Sequence, residues 1–371
     1  MSVITAYTQI ENLDGALTEL KSKLGDEAFS FIYFVTSRSD INEVAAGMET
    51  TFANQGKVFG CLSFAEISDT AIRDKSITVM GIGAEAILDC HIELIDLSCT
   101  KNADPSAAVE GIKTHYGEQE LIDEYERYAG LILIATDHGG QENLLYSLGN
   151  LLANQVVGGT AGLLDIESPV VFWQGQALPN TAILAMLKAK NSFITLKTQA
   201  VEKASEQVAR ITESGTTERI LSQINDRPAK QELLSILGLK DQDHQIDDVM
   251  KKHHLAMNID GDFYTRSFDT HDGDSLSTLA DIAPLSELYV VRNCENIVDL
   301  TKQALAEKLA GAIPQAALFV DCTHRVLFLR EHQLEEAYGK CFTAFPHIGF
   351  GCGGEAFIGH LNNTFVGLMI L

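Results

Sequence analysis

The chain has 371 residues, 46% hydrophobic and 21% charged, the balance of a folded globular protein and not of a disordered one. A formal net charge of −24 at pH 7 sets a repulsive field against nucleic acid and anionic membrane surfaces, so neither is an expected partner. With no signal-peptide pattern in residues 1–30, no apolar run near the roughly 18 residues of a spanning helix, and seven irregularly spaced cysteines without a Cys-x-x-Cys pair, a reduced cytoplasmic protein is expected.

One script recurs three times along the chain: an apolar strand, a one-face helix, then a glycine with a carboxylate six residues on. The first copy predicts a strand over 29–36 and a helix over 41–54, with Ile41, Val44, Ala45, Met48 and Phe52 on one face. Gly60 and Glu66 follow, and Ser76–Ile82 reads as a closing strand. The second copy runs from a strand over 131–136 through a helix over 142–154, striped by Leu144, Leu145, Leu148, Leu151 and Leu152. Gly159 and Asp165 follow, with a closing strand over 169–173.

From 182 to 238 the signals turn β-like, at 183–187, 193–198 and 207–212. A turn at Asn225-Asp-Arg-Pro228 leads into a helix from Ala229 that Gly238 ends. A polar surface connection over 240–253 precedes strands at 262–268 and 287–292, with a turn at Asp272-Gly-Asp274 between them. The third copy then has a strand over 316–320, a helix over 331–342, Gly349, Glu355 and a closing strand over 364–371.

A strand, helix and returning strand make a right-handed parallel crossover, and the turn strands are expected to be antiparallel. The fold expected is α/β: repeated strand-helix-strand-turn-strand units in two packed halves, with a β-rich insert and mixed sheets. The division falls at 190, giving an N-terminal domain 1–190 with two copies and a C-terminal domain 191–371 with the insert and the third.

Glycine at a strand end lets backbone N–H groups face a ligand, so Gly159 and Gly349 are candidate binding positions and the three bends are expected to line one cavity. Glu66, Asp165 and Glu355 could orient an amino or cationic group; converging without cations, at least one would need a basic partner or a raised pKa. Cys322 and Arg325 follow the third copy's strand, where open α/β sheets place ligands, and Asp137-His138 and Ser37-Arg38 sit at the corresponding point of the other copies. Cys61 and Cys352 lie in glycine turns, so thiol chemistry belongs among the candidates. Phosphate-loop, dinucleotide-binding, nucleophile-elbow and zinc-protease motifs are absent, and the chain does not read as an enzyme.

The segment Val58-Phe-Gly-Cys-Leu-Ser-Phe-Ala-Glu-Ile67 resembles the first signature of FIST domain proteins, with Ala65 where the family usually has Gly. Val157-Gly-Gly-Thr-Ala-Gly162, Asn225-Asp-Arg-Pro-Ala229, Phe263-Tyr-Thr-Arg-Ser267, Leu318–Arg325, Gly349–Glu355 and Gly359-His-Leu-Asn-Asn-Thr364 are similar to its later segments, in order. The resemblance implies a ligand-sensing protein of a signalling system, partnered by a histidine kinase or a cyclic-dinucleotide enzyme. It is similar in particular to the stand-alone NosP branch, which implies haem as cofactor and nitric oxide as ligand. Haem needs an axial ligand, and the candidates are His347, ranked first beside the third glycine turn, then His360 and His254. The glycine-turn set Cys61, Glu66, Gly159, His138, Cys322, Arg325, Gly349 and Glu355 would line the ligand pocket. Two other readings stay open: a sensor of a small organic ligand such as an amino acid, and an enzyme using Cys322 or Cys61 as nucleophile.

Overall fold

A computed structural model describes residues 3–98, 103–136, 139–162, 168–240 and 246–371. The protein is α/β, and its repeat is longer than the sequence pattern suggests. The first copy is β1 (Val3–Thr8), α1 (Leu13–Leu24), β2 (Phe31–Thr36), α2 (Ile41–Phe52), β3 (Lys57–Leu62), the hairpin β4 (Glu66–Ser68) and β5 (Ala71–Arg73), and β6 (Ile77–Ile82). The second is β7 (Ile87–Asp96), α3 (Ser106–Tyr116), the short α4 (Glu118–Asp123), β8 (Tyr128–Ala135), α5 (Gln141–Leu151), β9 (Gln155–Thr160), the hairpin β10 (Val171–Trp173) and β11 (Gln176–Leu178), and β12 (Thr181–Ala189).

The third copy opens with β13 (Phe193–Thr198) and is then interrupted. Seven strands intervene: β14 (Val201–Ser214), β15 (Ile220–Ile224), β16 (Arg227–Pro228), β17 (His253–Ile259), β18 (Asp262–Asp272), β19 (Ser275–Thr278) and β20 (Glu287–Asn293). Between β16 and β17 lie α6 (Ala229–Ile236) and α7 (Ile246–Lys252), the latter within the stretch expected to be a plain connection. The copy resumes with α8 (Ile297–Leu309), β21 (Ala316–Cys322), α9 (Thr323–Glu331), α10 (Glu335–Gly339), β22 (His347–Cys352), the hairpin β23 (Glu355–Phe357) and β24 (Gly359–Leu361), and β25 (Phe365–Ile370). Its crossover helix starts directly at the strand end, eight residues before the expected 331.

Each copy builds one six-stranded sheet, and the three orders are the same: β1-β6-β2-β3-β10-β11, β7-β12-β8-β9-β23-β24 and β13-β25-β21-β22-β4-β5. In every one the crossover pair is parallel (β2–β3, β8–β9, β21–β22) and the last two strands come from another copy. Copy one gives its hairpin to copy three, copy three to copy two, and copy two to copy one. The exchange covers the edges of β3, β9 and β22, whose unpaired backbone groups would otherwise face solvent. It also corrects the closing strand of the second copy. Residues 169–173 belong to the exchanged hairpin, and β12 closes the sheet against β8.

Alternation along the strands sorts the side chains to two sides. Phe31, Tyr33 and Val35 face a core shared with Leu131, Leu133, Leu318 and Val320, whereas Ile32 and Phe34 meet Val44, Met48 and Phe52 of α2. Three sheets thus pack around one interior, with the helices of the first two copies on their outer faces.

The compact units differ from halves at 190. Residues 1–197, 302–360 and 365–371 form one, holding all three copies, and 198–301 with 361–364 form the other. The second unit is an antiparallel sheet in the order β14-β20-β17-β18-β19-β15-β16, packed on α6 and α7 through Leu233, Leu234, Val249 and Met250.

Candidate functional site

The glycine bends do converge, within the first unit, and they are stitched together by backbone. Phe64 N donates to Gly351 O (2.9 Å) and Gly351 N to Ala65 O (2.7 Å). Thr160 N donates to Gly354 O (2.8 Å), and Gly162 N to Leu62 O (2.9 Å). Contact is close enough that a Cβ on Gly162 would stand 2.1 Å from Phe64 N. The expected shared cavity is therefore filled: among the described residues the meeting point is packed backbone and core.

Strand register aligns the copies residue by residue. Gly60 lies opposite Phe34, Gly158 opposite Ile132 and Gly349 opposite Phe319. Gly158, not Gly159, therefore matches Gly60. A Cβ on either would fall within 1.9 Å of the facing carbonyl oxygen, which explains the residue type. Opposite the following position stand Glu66, Glu355 and Val171, from the three exchanged hairpins. The second copy's counterpart of the two glutamates is thus a valine, and Asp165 and His138 lie outside the described residues.

The same register equates Ser37 and Ser63 with Ala135 and Ala161, and with Cys322 and Cys352. Glu66 is fully buried and accepts from Ser37 Oγ (3.1 Å), Ser76 Oγ (2.5 Å) and Ser63 Oγ. Burial pushes its carboxyl up to about 8, against the pull of the three hydroxyls, with Asp74 adding to the rise. Glu355 is as buried, and its Oε1 accepts from the Cys352 thiol at 3.0 Å. The second copy is apolar at all three places.

Other expected site residues are structural. Cys61 is a core thiol 4.0 Å from Tyr33 Oη, and burial raises its pKa far beyond the physiological range. Arg325 is fully buried, donating from Nε to Asp321 Oδ1 at 2.7 Å, while Tyr338 Oη donates to Asp321 Oδ2 at 2.6 Å. Gly349 packs its backbone against Phe319, and His360 lays its ring on Gly354. His254 is buried in β17 of the second unit, opposite Ser267 and Val291.

His347 is placed differently. It begins β22 and lines a cavity of about 590 Å³ together with Thr5, Ala6, Tyr7, Lys23, Ser68, Asp69 and residues 343–346. Its Nδ1 faces Phe345 O at 3.1 Å, which makes Nδ1 the protonated nitrogen. Nε2 is left buried with no hydrogen-bond partner. Burial first holds the imidazole below its usual pKa, against the opposing pull of the Phe345 carbonyl and Asp69, so the ring is neutral at pH 7. Rings of Phe319, Phe342 and Phe345 surround it with centroids 6.1, 5.6 and 6.5 Å away.

A buried neutral histidine with one nitrogen fixed and the other lone pair unengaged has the donor chemistry of an axial metal ligand. Of the three rings Phe345 lines the cavity, as does that of Tyr7, and Lys23 Nζ on the rim is held by Glu19 Oε1 (2.9 Å) and Tyr7 O (2.7 Å). Among the residues present, His347 is the one whose donor chemistry fits haem iron. The sequence singled out His347; it gave no sign of Tyr7 or Lys23, because strand β1 and helix α1 precede the legible pattern, nor of Asp69, which turns the short hairpin between β4 and β5. No group of three or more His, Cys, Asp or Glu among the described residues could hold a metal ion on protein ligands alone.

The FIST N domain matches residues 30–227 and the FIST C domain residues 218–358. No curated protein matches the chain.

Proposed function

Since the chain belongs to the FIST family, whose domains are ligand-sensing and serve signal transduction, we propose that it is a haem-dependent nitric oxide sensor with its pocket at His347. The observation that supports this reading best is the unpartnered Nε2 of a buried, neutral His347 at the wall of a 590 Å³ cavity. Bound haem would supply an iron that takes a diatomic gas. The chain's part is to hold and report it. Phe345 O fixes the tautomer of His347, and the surrounding rings keep water from Nε2. Because Nε2 is closed to solvent, ligation must displace a neighbour, and residues 343–346 are the wall that can yield. That couples occupancy to a surface segment, which is what a partner needs to read. The partner proposed is a histidine kinase or a cyclic-dinucleotide enzyme, and a net charge of −24 favours one with a basic docking face.

An amino-acid sensor has less support. The carboxylates that would hold its amino group are enclosed separately, and the second copy has Val171 in their place. An enzyme acting through Cys61 or Cys322 would have to bring its substrate to a buried thiol, which bars all but the smallest molecules.

Titration of the purified protein with hemin tests the proposal. A sharp Soret band at one equivalent, shifting on addition of nitric oxide and weakened at least tenfold in affinity by His347→Ala, is the expected result. A broad spectrum indifferent to that substitution rejects it.

A further inference from the structure

The third copy holds a pair of buried thiols that haem sensing does not use. Cys322 ends β21, Cys352 ends β22, and the parallel register sets them directly opposite one another. Adjacent strands lie about 4.7–4.9 Å apart, within the roughly 4.4–6.8 Å between Cα atoms that a disulfide spans, and register partners project from the same face. Polar groups attend both sulfurs. The Cys352 thiol donates to Glu355 Oε1 at 3.0 Å, and Cys322 Sγ lies 4.0 Å from His324 Nδ1. Cys322 is also the N-cap of the nine-residue α9, whose amino end favours a thiolate. The matching positions are Ser37 and Ser63 in one copy and Ala135 and Ala161 in the other. The serines show that a hydroxyl shell fits here, and the alanines that no polar atom is needed. The sulfur pair therefore answers to something other than packing.

We propose that Cys322 and Cys352 are a redox site that a small peroxide closes to a disulfide and a low-molecular-weight thiol reopens, with Glu355 as the base for Cys352. The Cys322 sulfur attacks one peroxide oxygen, forming S–O and breaking O–O, and the thiol gives up its proton. The departing hydroxide takes that proton and leaves as water. Cys352 then gives its proton to Glu355 and attacks the Cys322 sulfur, forming S–S and breaking S–O. The second hydroxide takes the proton from Glu355 and leaves as water. Two thiols lose two electrons and the peroxide gains them. Burial of both sulfurs restricts the oxidant to a small molecule. The site stands apart from the cavity at His347, so it holds whether or not haem binds.

The test uses the full haem-free chain and hydrogen peroxide. Thiol titration in denaturant should fall from seven to five, and peptide mapping should join residues 322 and 352. Dithiothreitol should restore all seven. In Cys352→Ser the disulfide should vanish and a sulfenic acid at Cys322 should be trapped by dimedone. Glu355→Gln should slow closure by about tenfold or more and flatten its pH dependence. Seven thiols surviving peroxide, or a cross-link that maps to any other pair, overturns the proposal. Should a variant fail to fold, the wild-type map decides alone.

Discussion

Glu66 and Glu355 occupy one register position in two copies of the same unit, yet the first is ringed by three serine hydroxyls and the second faces a thiol. Backbone pairing fixes where the carboxyl sits. The residues one strand away decide what it can do. In copy one they stabilise a buried carboxyl that stays largely protonated at pH 7, because burial outweighs three hydrogen bonds. In copy three they set a thiol that donates a hydrogen bond to the carboxyl. In copy two the position is Val171, in one core with Ala135 and Ala161, and the sheet forms all the same. The glutamates are therefore not required by the architecture.

The largest effect that can break this comparison comes from making copy one resemble copy two. Glu66→Val leaves three buried hydroxyls without their acceptor, and each such group costs about 1–3 kcal/mol, so at least about 3 kcal/mol should be lost in thermal or urea unfolding. Adding Ser63→Ala removes one stranded donor and should return about 1 kcal/mol. If the double variant is instead less stable by the sum of two independent losses, the hydroxyls are not a shell for the carboxyl.

Smaller is the pH dependence. A carboxyl whose folded pKa is raised to about 8 binds its proton in the folded state where the unfolded chain has released it, so stability falls as pH rises from about 4.5 to 8. The slope from this group is about 1.4 kcal/mol per pH unit, and Glu66→Gln should remove it. Asp74 raises the shift, and Cys61, whose own pKa the Glu66 charge helps to raise, stays protonated throughout. Melting curves at pH 5, 6, 7 and 8 for wild type and variant measure the difference. Parallel curves for the two proteins would place the ionisation elsewhere.

The sequence made the crossover units legible because their helices carry clean apolar stripes: 41–54 was expected and Ile41–Phe52 is found. The hairpin exchange was not legible. Its strands are three residues long, too short for an alternating pattern, and their partners lie a hundred or more residues away. That is why 169–173 reads as a closing strand and why spacing alone aligns Gly159, and not Gly158, with Gly60. Converging carboxylates were expected to need a basic partner or a raised pKa; Glu66 has a raised pKa, but burial is its largest cause and, among the described residues, no carboxylate of another copy converges on it. His347 stood out by its place beside a glycine turn. That its Nε2 would be left without a partner depends on Phe345 and on the packing of three rings, which no local pattern encodes.

The finest test concerns sulfur itself. Cys352→Ser gives copy three the hydroxyl that copy one has at Ser63. A hydroxyl bonds Glu355 more strongly than a thiol does, but oxygen is smaller and leaves space over Gly159, where Sγ now stands 3.2 Å from the place a Cβ would take. The two effects oppose, and the expected net change is within about 1 kcal/mol. Chemical unfolding of the reduced proteins checks it. A loss well beyond that would mean the sulfur is held for its volume, as a core atom. A change inside it leaves the thiol unexplained by stability, and its reactivity becomes the reason for its place.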